Sequence, residues 1–125
     1  SQARLEIAGP VEFHYHNATG DPTQTFQLDI VLPIKKRKKY AGAFDLRRAA
    51  PFPCVKAQFV GPVAHIGWGY HEVFQAVKRE KLKPSGETRE VYLHWVGFAS
   101  PENVIELQVG TDKPAEKAVR KAKKK

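Results

Sequence analysis

The chain has 125 residues, of which 42% are hydrophobic, 10% aromatic and 27% charged, the proportions of one small globular domain. No apolar run reaches the roughly 18 uncharged residues that span a bilayer, and the start SQARLEIAGP lacks the basic-then-apolar order of a secretory signal, so a soluble, cytoplasmic chain is expected. The single cysteine, Cys54, excludes an intrachain disulfide and a cysteine-built zinc cage. Its neighbours Phe52 and Val55 predict a buried, inert thiol.

The net charge of +8 is unevenly placed. Lys35, Lys36, Arg37, Lys38 and Lys39 form one basic run, and residues 113–125 carry seven Lys or Arg against Glu116. The rest of the chain is mildly acidic. Residues 1–112 are therefore expected to fold, with 113–125 as a basic, disordered tail. The run and the tail, including Lys121, Lys123, Lys124 and Lys125, are a candidate patch for weak, salt-sensitive, non-specific docking to nucleic acid or an acidic protein. Solvated segments without function are the plainer reading.

In chain order, VEFHYH (11–16) and FQLDIVL (26–32) alternate at period two and read as strands, with turn-forming residues in NATGDPTQ between them. A basic irregular stretch follows, and PCVKAQFV then makes a third strand. Gly61-Pro62 predicts a helix start. Val63, Ile66, Tyr70, Val73, Phe74 and Val77 fall at steps of three and four, one apolar stripe on a helix running to about Lys81. Gly67 and Gly69 inside it each cost about 1 kcal/mol against alanine, which asks for close approach to a sheet or a ligand. REVYLHW and VIELQV, joined across SPEN, read as a second hairpin.

Strand alternation assigns faces. Val91, Leu93 and Trp95 with Ile105, Leu107 and Val109 are expected to pack on the helix, leaving Glu90, Tyr92, His94, Val104, Glu106 and Gln108 on the other face. In the first hairpin Val11, Phe13, Tyr15, Leu28, Ile30 and Leu32 face the core, while Glu12, His14, His16, Gln27 and Asp29 face away. Such a polar face is common in antiparallel sheets. It also offers acids and an aromatic wall to a cationic, partly aromatic molecule. His14 and His16, with Glu12 or His94, share a face and could ligate a metal, but so short a pair is a weak signal and no metal or cofactor is assigned.

The two hairpins read as copies. At an offset of 77, Leu5 meets Leu82 and Gly9 meets Gly86; with one insertion and one deletion, Glu12 meets Glu90, His16 meets His94, Asp29 meets Glu106 and Pro33 meets Gly110. The expected fold is α+β, an antiparallel sheet with a helix on one face, built as pseudo-twofold strand-helix-strand-strand units. The first unit lacks a strand and most of a helix, on the order of 25 residues. Either upstream residues are absent, or a partner molecule covers what they would cover.

Residues 61–95, GPVAHIGWGYHEVFQAVKREKLKPSGETREVYLHW, with PENVIELQV, resemble the GyrI-like effector-binding domain, and AGPVEFHYH through LDIVLP is similar to that family's first hairpin. The likeness covers nearly all of residues 3–110. It implies a cleft for small cationic or amphipathic aromatic molecules, in a family whose members serve as sensors, as standalone binding proteins and as small hydrolases; a standalone sensor or sequestering role is the reading favoured here over an enzyme. Glu90 matches the family's acidic pocket position, and Tyr92 and Glu106 match neighbouring motif positions. Trp68, Tyr70 and His14 complete the candidate ligand-binding set. Ile105 and Gly110 stand where the family usually has threonine and proline, and there is no helix-turn-helix. Two alternatives stand: a small hydrolase of electrophilic compounds using Glu90, Tyr92 and Glu106, and an interaction protein using the basic segments. A homodimer completing the first unit is a further expectation.

Overall fold

The computed structural model describes residues 7–17, 26–35, 50–114 and 122–123. The elements are β1 (Glu12–His16), β2 (Gln27–Val31), β3 (Cys54–Val60), a 3₁₀ turn at Val63–His65, α1 (Ile66–Arg79), β4 (Pro84–His94), β5 (Val104–Thr111) and the short β6 (Ala122–Lys123). The sheet has the order β2-β1-β4-β5-β3-β6. Its first five strands are antiparallel, and β6 joins β3 in parallel. The fold is α+β, with one helix packed on one face of the sheet. Among the described residues no helix is long and apolar enough to cross a membrane.

Alternation places Val55, Ala57 and Phe59 of β3 and Ile105, Leu107 and Val109 of β5 on one face, where Val73, Ala76 and Val77 of α1 close over them. These side chains are buried, and full burial of a Val, Ile, Leu or Phe contributes roughly 1.5–3 kcal/mol. The helix comes close because Gly69 faces the sheet: a Cβ there would stand 2.5 Å from Leu107 Cδ1 and 3.0 Å from Phe59 Cβ. Gly67 faces open space, so packing does not explain it. The predicted stripe holds at Ile66, Tyr70, Val73 and Val77, whereas Phe74 lies at its margin and is exposed.

Proline does not open α1. Pro62 is extended and precedes the 3₁₀ turn, whose Val63 N–H donates to Phe98 O at 2.9 Å. At the other end Lys81 takes a left-handed φ of 57°, its N–H donating to Lys78 O at 3.0 Å and that of Leu82 to Val77 O at 3.1 Å. This pair of bonds satisfies the last carbonyls and returns Leu82 to the core. β4 begins at Pro84, where a missing N–H is tolerated, and carries a register shift between Pro84 and Thr88 around Gly86 at φ 96°.

The expected faces of β4 are reversed. Glu90 lies opposite Leu107 and Tyr92 opposite Ile105, while Val91 lies opposite Glu106. Residues paired across strands share a face, so Glu90 and Tyr92 stand on the helix side, and Leu93 and Trp95 are exposed rather than core. Alternation within a strand fixes which residues go together but not which set faces the helix, and pairing with β5 decides that. β1 and β2 keep the expected alternation, with Phe13 opposite both Glu90 and Ile30, but Leu28, Ile30 and Leu32, expected in the core, are exposed because the helix packs on β3 and β5 and does not cover β2.

Candidate functional site

The helix rests on β3 and β5, so β4, β1 and β2 extend beyond it on the same face. There the sequence supplies Phe13 and Tyr15 at alternate positions, the register sets them beside Tyr92 and Phe26, and the register shift between Tyr92 and His94 brings Trp95, three residues on, beside Tyr92. Ring centroids run from Phe26 to Tyr15 (5.9 Å), Tyr15 to Phe13 (6.5 Å), Phe13 to Tyr92 (5.1 Å) and Tyr92 to Trp95 (5.6 Å). Phe26 and Trp95, at the two ends, are each about half exposed. Leu28, Ile30 and Leu32 continue this apolar surface along β2 and are exposed.

Glu90 lies beside this row, with 6% of its surface exposed. A buried carboxylate needs donors, and three phenols supply them. Tyr70 of α1 donates to Oε2 at 2.5 Å, Tyr92 to Oε1 at 2.7 Å, and Tyr15 of β1 to Oε1 at 3.4 Å. Burial, then the nearby charge of Glu90 and the hydrogen bond to it, push the Tyr15 phenol up to about 12. Tyr70 and Tyr92 are pushed well above the ordinary phenol range, again chiefly by burial and then by Glu90. All three are therefore protonated donors at neutral pH.

The opposite face is polar. Across β2, β1 and β4, His16 Nε2 meets Asp29 at 3.1 Å, His16 Nδ1 meets Glu87 at 3.6 Å, and His14 lies 2.8 Å from Glu12 and 3.9 Å from Glu87. Arg89 Nε donates to Glu87 at 2.6 Å and its guanidinium lies 3.7 Å from the Phe52 ring centroid. Among the described residues no three His, Cys, Asp or Glu side chains are placed to hold one metal ion. Cys54, a half-buried free thiol, lies on this face, and burial is the main influence pushing it up, which keeps it protonated.

The structure thus divides the candidate set. Glu90, Tyr92 and Tyr70 come together. Glu106 stands on the polar face, opposite Val91 and Gln58, and accepts from Gln108 Nε2 at 2.7 Å. His14 is on that face too, opposite Arg89. Trp68 is about half exposed and, two residues before Tyr70, points some 200° around the helix from it. Tyr15 was assigned to the core by alternation, and its role at Glu90 was missed. Of the basic patch, Lys36, Arg37, Lys38, Lys39, Lys121, Lys124 and Lys125 lie outside the described residues. Lys35 follows the Ile7–Ile34 bridge, and Lys123 ends β6.

Compared with known proteins, the chain matches no family model, and no curated protein matches it.

Proposed function

We propose that this chain is a GyrI-like small-molecule-binding domain that takes cationic aromatic molecules on the face beside α1, with Glu90 as the charge partner. The observation that carries this reading is a buried carboxylate under three phenol donors at the margin of a row of five aromatic rings. A flat cation gains charge pairing with Glu90 and cation–π attraction from the rings.

The duplicated architecture belongs to the same proposal, and the strand register supports it. A shift of 77 carries Phe13 onto Glu90, Tyr15 onto Tyr92, Leu28 onto Ile105 and Ile30 onto Leu107. The pairs Phe13–Ile30 and Tyr15–Leu28 then become Glu90–Leu107 and Tyr92–Ile105, the pairs of the second hairpin. The Phe13–Glu90 pair between β1 and β4 maps onto itself, as a residue pair on a local twofold must.

A thermal-shift screen with cationic aromatic dyes on wild type and Glu90→Gln, at low and high salt, tests the proposal. A dye that raises the wild-type melting temperature is expected to lose roughly 1.5–3 kcal/mol of affinity on Glu90→Gln, the worth of a charged hydrogen bond. Equal affinities would remove Glu90 from the site. The hydrolase reading gains one observation, a carboxylate and tyrosines in direct contact, and product formation that depends on Glu90 and Tyr92 would favour it.

A further inference from the structure

A cation approaching Glu90 meets a carboxylate that already has its donors. Oε2 holds Tyr70, and Oε1 holds Tyr92 and Tyr15. Because the group is buried, an approaching ligand must take the place of one of these phenols to touch it. The three are not equally held. The Tyr92 bond, at 2.7 Å, has the usual O–H···O length and the Tyr70 bond is shorter still, whereas Tyr15 at 3.4 Å lies beyond the ordinary range. Tyr70 is clamped by α1 against the core. The Tyr92 ring is held between Phe13 and Trp95. Tyr15 is flanked by Phe13 and the half-exposed Phe26 much as Tyr92 is by Phe13 and the half-exposed Trp95, so its longer bond is what sets it apart.

Building on the binding role proposed above, we infer that Tyr15 is the exchangeable donor of this site, displaced by the ligand's own N–H, so that protonated amines and amidines bind in preference to quaternary cations. A protonated amine that displaces Tyr15 gives Oε1 a charge-assisted hydrogen bond in return. A quaternary ammonium of the same charge and ring system has no N–H to give. It takes one of the two donors from Oε1 and returns none, leaving only Tyr92 there, which costs a hydrogen bond to a charged group. The aromatic row contributes equally to both cations, so the difference between them reports the exchange.

Calorimetric titration of the full chain with naphthylmethylammonium and with its N,N,N-trimethyl counterpart tests this. Wild type is expected to bind the primary ammonium about tenfold more tightly. Tyr15→Phe keeps the ring and removes the competing hydroxyl, so both probes are expected to tighten several-fold with their ratio unchanged. Equal wild-type affinities, or no tightening on Tyr15→Phe, overturn the exchange. The wild-type comparison requires no variant to fold. If neither probe binds, the binding role itself falls; if Glu90→Gln binds both as wild type does, Glu90 leaves the site and the exchange at Tyr15 falls with it. If Glu90→Gln weakens both while wild type does not distinguish them, the binding role stands and the exchange at Tyr15 falls.

Discussion

Tyr70 on α1 and Glu90 on β4 are joined by a 2.5 Å hydrogen bond, which ties the helix to the strand next to the pair it rests on. Hydrogen bonds to a charged acceptor contribute about 1.5–3 kcal/mol. Tyr70→Phe is expected to lower unfolding free energy by about that amount in urea titrations. An unchanged midpoint and slope would show that the bond has no net worth.

The three phenols at Glu90 predict an alkaline limit to stability. In the unfolded chain a tyrosine ionises near 10, whereas Tyr15 when folded is raised to about 12 and Tyr70 and Tyr92 are raised further. Between those values the folded state holds more protons than the unfolded one. Their contribution is therefore complete below about pH 10 and is lost as pH rises through about 12 for Tyr15, the other two extending the loss upward. Urea midpoints measured from neutral to alkaline pH should fall in that window, while near-UV absorbance shows these phenols still protonated in the folded chain. Phenolate signals from all four tyrosines near the ordinary value would contradict the buried cluster.

The two helix glycines should respond in opposite directions. Gly67→Ala gains helix propensity in open space and is expected to stabilise by about 1 kcal/mol. Gly69→Ala drives a methyl into Leu107 and Phe59 and is expected to cost about 1–3 kcal/mol. Melting temperatures of the two variants, compared side by side, check both signs. Stabilisation by Gly69→Ala would mean that α1 moves away from the sheet at little cost.

Asn103, fully buried ahead of β5, accepts from Val96 N at 2.9 Å and donates to Gly97 O at 2.7 Å. It holds the turn that presents Trp95 to Tyr92. Asn103→Ala leaves these backbone groups without their partner and is expected to cost about 1–3 kcal/mol. Urea denaturation measures that loss. A change in tryptophan fluorescence before global unfolding would mark the loosened turn; neither effect would show the clamp to be dispensable.

Period-two alternation was sufficient to locate β1, β2, β3 and the central parts of β4 and β5. The three-and-four spacing from Ile66 to Val77 was sufficient for α1. Each rests on contacts along one segment, where the side-chain period follows directly from backbone geometry. The start of β4 at Pro84 was not legible, because strand pairing there depends on β5 and on the left-handed turn at Lys81.

By itself the sequence determined which side chains travel together: Glu90 with Tyr92, Phe13 with Tyr15, Glu106 with Gln108. Tertiary structure alone decided where those sets meet. Shifting one strand by one residue exchanges its two faces, and the pairing of Glu90 with Leu107 put the acid on the helix side of the sheet, beside Tyr70, rather than on the polar face with Glu106 and His14. Tyr15 and Glu90 are 75 residues apart, and their contact exists because β1 and β4 are neighbours. Local periodicity carries no information about that adjacency, which is set by the burial and backbone pairing of the whole sheet.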